Sequence, residues 1–168
     1  MNKEEIYALL DGEGIEYEIT EHKAVYTMEE LAAVECPHPE ADAKNLFVRD
    51  DKRQSYYLIT VKGDKRVDLK KFRREQGLRP LTFASEDELH DILGLYPGAV
   101  SPFGLLNAQE GRVTFFLDEE LLQGDGLIGI HPNDNTATVW LRTLDLLSLL
   151  RRRGSPAAII TVEFHEKA

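Results

Sequence analysis

The chain has 168 residues, a formal net charge of −10, 42% hydrophobic and 30% charged residues. This is a globular composition that excludes a disordered or fibrous chain, and its acidity argues against a nonspecific nucleic-acid coat. No apolar run reaches the length of a membrane span, and the lone Cys36 excludes an internal disulfide framework. Met1–Asn2–Lys3 leads straight into an acidic amphipathic stretch with no apolar signal region, so a cytoplasmic location is expected. Histidines scattered at 22, 38, 90, 131 and 165 lack metal-ligand spacing, and neither a metal nor a cofactor is expected.

Residues 3–11 carry Ile6, Leu9 and Leu10 at helical spacing, with Gly12 and Gly14 to end the helix. Ile15–Ile19 alternates as a half-buried strand. Thr27 with Glu30 forms a capping-box pattern for a short helix through Val34, and Cys36–Ala43, with two prolines, reads as a loop. Leu46–Val48 and Tyr56–Val61 form a hairpin around the charged turn Asp50–Arg53. Asp68 caps a helix through Gln76 that Gly77 ends. Leu81–Ala84 is a short strand, and the Ser85/Glu88 box opens a helix to Leu93. Gly94–Asn107 reads as a loop. Val113–Leu117, Leu127–Ile130 and Thr136–Leu141 are strands, the last two joined by the turn Pro132–Asn135. Thr143 caps a helix carrying Leu144, Leu147 and Leu150, and Ala158–Val162 closes as a strand. No linker or repeat divides the chain, so residues 1–168 read as one domain. Its fold class is α/β of the α+β type: a mixed, mostly antiparallel sheet with helices packed around it.

The common catalytic signatures are absent: no phosphate-cradling glycine loop, no Gly-x-Ser-x-Gly elbow, no His-Glu-x-x-His helix. Cys36 stands beside Pro37 and His38, but a lone cysteine is more often inert than nucleophilic. Three features carry chemistry instead. Lys44, before an apolar strand, can project as a point charge toward a phosphate or ribose, or can be an ordinary solvated edge residue. The loop Tyr96–Gly104, punctuated by Pro97, Gly98, Pro102 and Gly104, can expose amide N–H groups that polarise an ester carbonyl, or can simply connect two elements. His131 ends a strand at a turn and reads as base, pocket wall or surface group. Between Lys62 and Arg74, seven basic residues stand against Asp64 and Asp68. That segment is either a basic face for one nucleic-acid element or a solvated helix surface.

Lys44-Asn45-Leu46-Phe47-Val48, Tyr57-Leu58-Ile59-Thr60, Gly98–Gly104 and Gly129–Asn135 occur together in an order and spacing that resembles the YbaK/prolyl-tRNA synthetase editing-domain family. The similarity spans about residues 1–165 and is strongest to free-standing alanyl-prolyl-tRNA deacylases. The resemblance implies a trans-editing enzyme that hydrolyses the ester of mischarged tRNA, alanine on proline tRNA foremost. Its catalytic positions would be Lys44, Gly98 and Pro102: Lys44 meets the phosphate or ribose of the terminal adenosine, and the loop backbone positions the ester. Asn45, Leu46, Val100, Ser101, Phe103, Gly104 and His131 would bind substrate, with Leu46, Phe103 and His131 walling a small amino-acid pocket. Water, placed with help from the ribose hydroxyl, would attack without a side-chain nucleophile. Lys70, Lys71, Arg73 and Arg74 would hold the acceptor stem, with prolyl-tRNA synthetase as a candidate partner and no membrane. The rival readings are cysteine or another amino acid as the edited group, a non-catalytic tRNA-binding regulator, and a small-molecule ester hydrolase.

Overall fold

The computed structural model describes residues 1–22, 41–63 and 65–162; the expected helix through Val34, Cys36 and His38 lie outside these described residues. Helix α1, Lys3–Gly12, begins where the Asn2 side chain accepts from the Glu5 amide at 2.9 Å and Glu5 accepts from the Asn2 amide in return. This capping box buries Ile6 and Leu10 completely. Strand β1 is Tyr17–Glu21, starting later than Ile15 because the Ile15 amide still donates to the Leu10 carbonyl at 3.0 Å. The sequence pattern had read the end of the helix turn as strand.

Strands β2 (Ala43–Asp50) and β3 (Tyr56–Lys62) form the expected hairpin, with Asn45 opposite Thr60 and Leu46 opposite Ile59. Helix α2, Leu69–Gln76, is capped by Asp68, whose carboxylate accepts from the amides of Lys70 and Lys71, and ends at Gly77. Strand β4 is Leu81–Phe83. Ser85 caps the single turn α3, Glu86–Glu88, which widens into a π-turn over Leu89–Leu93. Strands β5 (Val113–Asp118), β6 (Leu127–Ile130) and β7 (Ala137–Arg142), helix α4 (Thr143–Arg152) and strand β8 (Ala157–Ile160) complete the described order. Thr143 does not cap α4; its hydroxyl is buried and donates to the Leu121 carbonyl at 2.6 Å.

Two sheets result, where the sequence suggested one. β1, β7 and β6 make an antiparallel sheet of three strands. The five-stranded sheet runs β4-β2-β3-β5-β8, antiparallel except that β5 is parallel to β3 and to β8. The first parallel pair depends on a crossover from Gly63 to Arg112 and the second on one through β6, β7 and α4, both too distant in sequence for a hairpin signal to reveal. Their common direction puts the ends of β3, β5 and β8 and the start of β2 at one edge of the sheet. There the sheets meet: Asp42 bridges Gly129 at the end of β6.

Each face of the larger sheet buries its own apolar cluster. Phe47, Tyr56, Leu58, Phe115 and Leu117 pack with α1, α4 and the inner residues of the smaller sheet. Val48, Ile59, Val61, Phe116 and Ile160 pack beneath Phe72 of α2, whose ring meets Phe116 edge-on at 5.1 Å. No helix among the described residues is long and apolar enough to cross a membrane.

One lysine of the basic segment is internal. Lys65 is 4% exposed; its ammonium lies 2.9 Å from Asp118 and 3.1 Å from Glu120, and donates to the Val162 carbonyl at 2.6 Å. Burial works against its charge, but these acceptors outweigh it and raise its pKa. Lys65→Ala leaves Asp118, itself fully buried, without its counter-ion. We expect a loss of about 3–5 kcal/mol in urea unfolding; a loss below about 1 kcal/mol would mean that water replaces the ammonium.

Candidate editing site

Residues alternate along β2, and so do their surroundings. Asn45 and Phe47 face the larger cluster; Lys44, Leu46 and Val48 face the side covered by α2. Opposite Asn45, the buried Thr60 hydroxyl donates to Asn45 Oδ1 at 2.6 Å. That bond orients the amide, so Asn45 Nδ2 is left to donate across the gap to the Val100 carbonyl at 3.4 Å. A side chain on β2 thereby tethers the Gly98–Gly104 loop, 55 residues away in sequence.

The segment Gly94–Asn107, expected to be a loop throughout, ends in a short helix. Gly98 has φ 92, a left-handed backbone that favours glycine. Ser101 and Pro102 then start a 3-10 helix, Pro102–Asn107. Ser101 Oγ accepts from the Phe103 amide at 3.2 Å, and its carbonyl accepts from the Gly104 amide at 2.9 Å. Ala99 donates to the Tyr96 carbonyl at 3.1 Å. Three of the loop's N–H groups are therefore consumed internally. Among the described residues, the amides of Gly98, Val100 and Ser101 have no acceptor, and Gly98 and Val100 belong to residues that reach the surface. Pro102, Phe103 and Gly104 are buried and support the loop from within.

A second clamp joins the loop to the turn after β6. Tyr96 Oη accepts from the Asn135 amide at 3.3 Å, and the buried Asn133 side chain donates to the Met1 carbonyl at 3.1 Å and the Phe103 carbonyl at 3.5 Å. Within the turn, Asp134 accepts from the Thr136 amide at 2.8 Å and from its hydroxyl, which holds the Asp134 carboxyl below the usual carboxylate range. His131, half-buried, has Nδ1 2.8 Å from the Ala137 carbonyl and its ring edge-on to His22 at 6.0 Å. Burial pushes its pKa below the ordinary imidazole range, and His22 adds to that push.

Lys44 is exposed and lies opposite Val61, at the same sheet edge as Asn45 but on the other face. Leu46 packs into the α2-side cluster, whereas Phe103 is fully buried in the larger one, so the structure does not bring Leu46 together with Phe103 and His131 as one wall. Of the basic residues on α2, Lys70 and Arg74 are exposed, Lys71 lies 3.8 Å from Glu75, and Arg73 donates to the Leu78 carbonyl at 3.5 Å. Two contributors escaped the sequence reading. Thr60 carried a signal, as a polar residue in the apolar run Tyr56–Val61; His22 carried none, because only the long-range pairing of β1 with β7 places it. Among the described residues no cluster of His, Cys, Asp or Glu could hold a metal ion.

A profile of the aminoacyl-tRNA editing domain matches residues 22–149. The chain is 40% identical to the prolyl-tRNA editing protein ProX of Acetoanaerobium sticklandii over 153 residues, 91% of this chain and 93% of that one. It is 31% identical to prolyl-tRNA synthetase associated domain-containing protein 1 of Bos taurus over 156 residues, 89% and 88% of the two chains. A crystal structure described as a candidate trans-editing enzyme for prolyl tRNA synthetase superposes with TM-score 0.72 at 24% identity, covering 97% of each chain. The chain belongs to the aminoacyl-tRNA editing domain family. The enzyme class that the motifs implied, an ester hydrolase of the editing type, is the class this family defines.

Gly129 explains why the strand before His131 needs a glycine: a Cβ there would stand 2.3 Å from the Trp140 ring. Gly129→Ala should lower stability by about 1–3 kcal/mol and shift the emission of this single tryptophan; an unaltered spectrum and melting temperature would contradict that packing.

Proposed function

We propose that the chain is a free-standing editing deacylase that removes alanine from mischarged proline tRNA by directed attack of water on the ester. The observation that carries the reading is the Asn45 bridge, which joins the start of β2 to a loop whose Gly98 and Val100 amides meet no acceptor among the described residues. In this reading Lys44 meets the phosphate or ribose of the terminal adenosine, and Asn45 keeps the loop at the height of the ester. The Gly98 and Val100 amides point to the oxyanion that forms as water adds to the carbonyl. A ribose hydroxyl of the substrate assists that water, so no protein nucleophile is needed. Gly98 and Pro102 set the backbone course that aims these groups.

The sieve has a physical basis. A synthetase pocket shaped for proline rejects the smaller alanine weakly, since a missing methylene or two changes binding by about 1–3 kcal/mol. In this reading a second site, with His131 as one wall, admits alanine and excludes proline. The relative from Acetoanaerobium sticklandii, named for prolyl-tRNA editing, supports proline tRNA as the carrier. Prolyl-tRNA synthetase, which makes that mischarged product, is the proposed partner.

Purified protein assayed against alanyl-, cysteinyl-, seryl- and prolyl-tRNA should hydrolyse alanyl-tRNA fastest and spare prolyl-tRNA. Rapid loss of prolyl-tRNA refutes the sieve, preference for cysteinyl-tRNA assigns the rival substrate, and no turnover assigns a binding regulator. Lys44→Ala should reduce kcat/KM about tenfold to a hundredfold, the worth of a charge-assisted contact. Reversing Lys70 and Arg74 to Glu should raise KM and flatten its salt dependence; unchanged kinetics would return α2 to a solvated surface.

A further inference from the structure

Strand β7 holds two imidazoles through consecutive residues. The Ala137 carbonyl stands 2.8 Å from His131 Nδ1, and the Thr138 hydroxyl stands 3.1 Å from His22 Nε2. His22 is fixed to the same strand by its backbone, since its amide donates to the Thr136 carbonyl at 2.9 Å and extends the β1–β7 ladder past Glu21. The rings therefore meet edge-on, centroids 6.0 Å apart and planes at 62°, because of where β1 ends and not by the packing of a loop.

A carbonyl oxygen only accepts, so the His131 nitrogen facing it carries the hydrogen. In the neutral ring this leaves Nε2 with a bare lone pair. We propose that His22 is a positioning residue for His131, holding it as a neutral ring protonated at Nδ1 so that Nε2 is offered to the aminoacyl ester, whose amino group is a donor. The identity of that donor rests on the editing reading above; the ring arrangement does not.

The charged groups around His131 come from three further places. Asp134 lies in its own turn, Asp42 precedes β2, and Lys3 of α1 lies near Asp134. The two carboxylates favour a charged imidazole. Asp134 is already bonded to the Thr136 amide and hydroxyl, and Lys3 offsets part of its field. Against them stand the burial of His131 and the electrostatic effect of the neighbouring His22 ring. A ring held below its ordinary pKa stays neutral to lower pH, so its Nε2 remains an acceptor across the neutral range and is lost on acidification.

Nitrogen-15 NMR of the wild-type chain, with no substrate present, tests the arrangement directly. At neutral pH, His131 should show a pyrrole-type Nδ1 and a pyridine-type Nε2; the opposite tautomer or a charged ring overturns the proposal. His22→Gln, which retains a hydrogen-bonding group near Thr138 but cannot become cationic, should raise the His131 titration midpoint. If the midpoint stays where it is, His22 does not position His131. In deacylation of alanyl-tRNA, the same variant should lose about threefold or more in kcat/KM near pH 5.5 and little near pH 8, the effect of about half a pKa unit. An equal loss at both pH values overturns the proposal. If wild-type protein deacylates nothing, the functional reading falls while the NMR arm still decides the ring pair.

Discussion

The site depends on one side-chain amide. Asn45 accepts from Thr60 with its oxygen and donates to the Val100 carbonyl with its nitrogen, so a strand and a distant loop share a fixed reference. Without the Thr60 bond the amide could rotate and present its oxygen to a carbonyl, which is repulsive. With it, the orientation is decided before any substrate arrives. Preorganisation of this kind would serve the proposed chemistry, in which the protein places water and amides and supplies no bond-making group of its own.

The same edge of the larger sheet gathers the remaining parts. Parallel pairing of β3, β5 and β8 brings their ends to the start of β2, and the Asp42–Gly129 bridge attaches the smaller sheet there. The Tyr96–Asn135 and Asn133–Phe103 contacts then tie the loop to the turn that bears His131. Sites outside the carboxyl ends of parallel strands are common in open α/β sheets, since strand ends leave loops free to converge. Here an antiparallel strand contributes its beginning to that edge.

Charge follows a similar division. In the proposed reading an acidic chain takes up a polyanion locally, and the cations exposed for it include Lys44, Lys70 and Arg74. Lys65, counted among the basic residues of its segment, is instead sealed against Asp118 and Glu120 and contributes to the fold. Burial makes Lys65 a strut and leaves Lys44 and Lys70 at the surface.

The motifs Lys44–Val48, Gly98–Gly104 and Gly129–Asn135, their order, the β2–β3 and β6–β7 hairpins, helix α1 and the Asp68-capped helix α2 were all legible in the sequence, because each arises from residues close together in the chain. Capping bonds, alternation and left-handed glycine turns are local physics. The division into two sheets, the parallel pairings, the Asn45–Val100 tether and the meeting of His22 with His131 were decided only by tertiary structure. Each needs two segments far apart in sequence to arrive at one place. No periodicity within either segment records where the other will be.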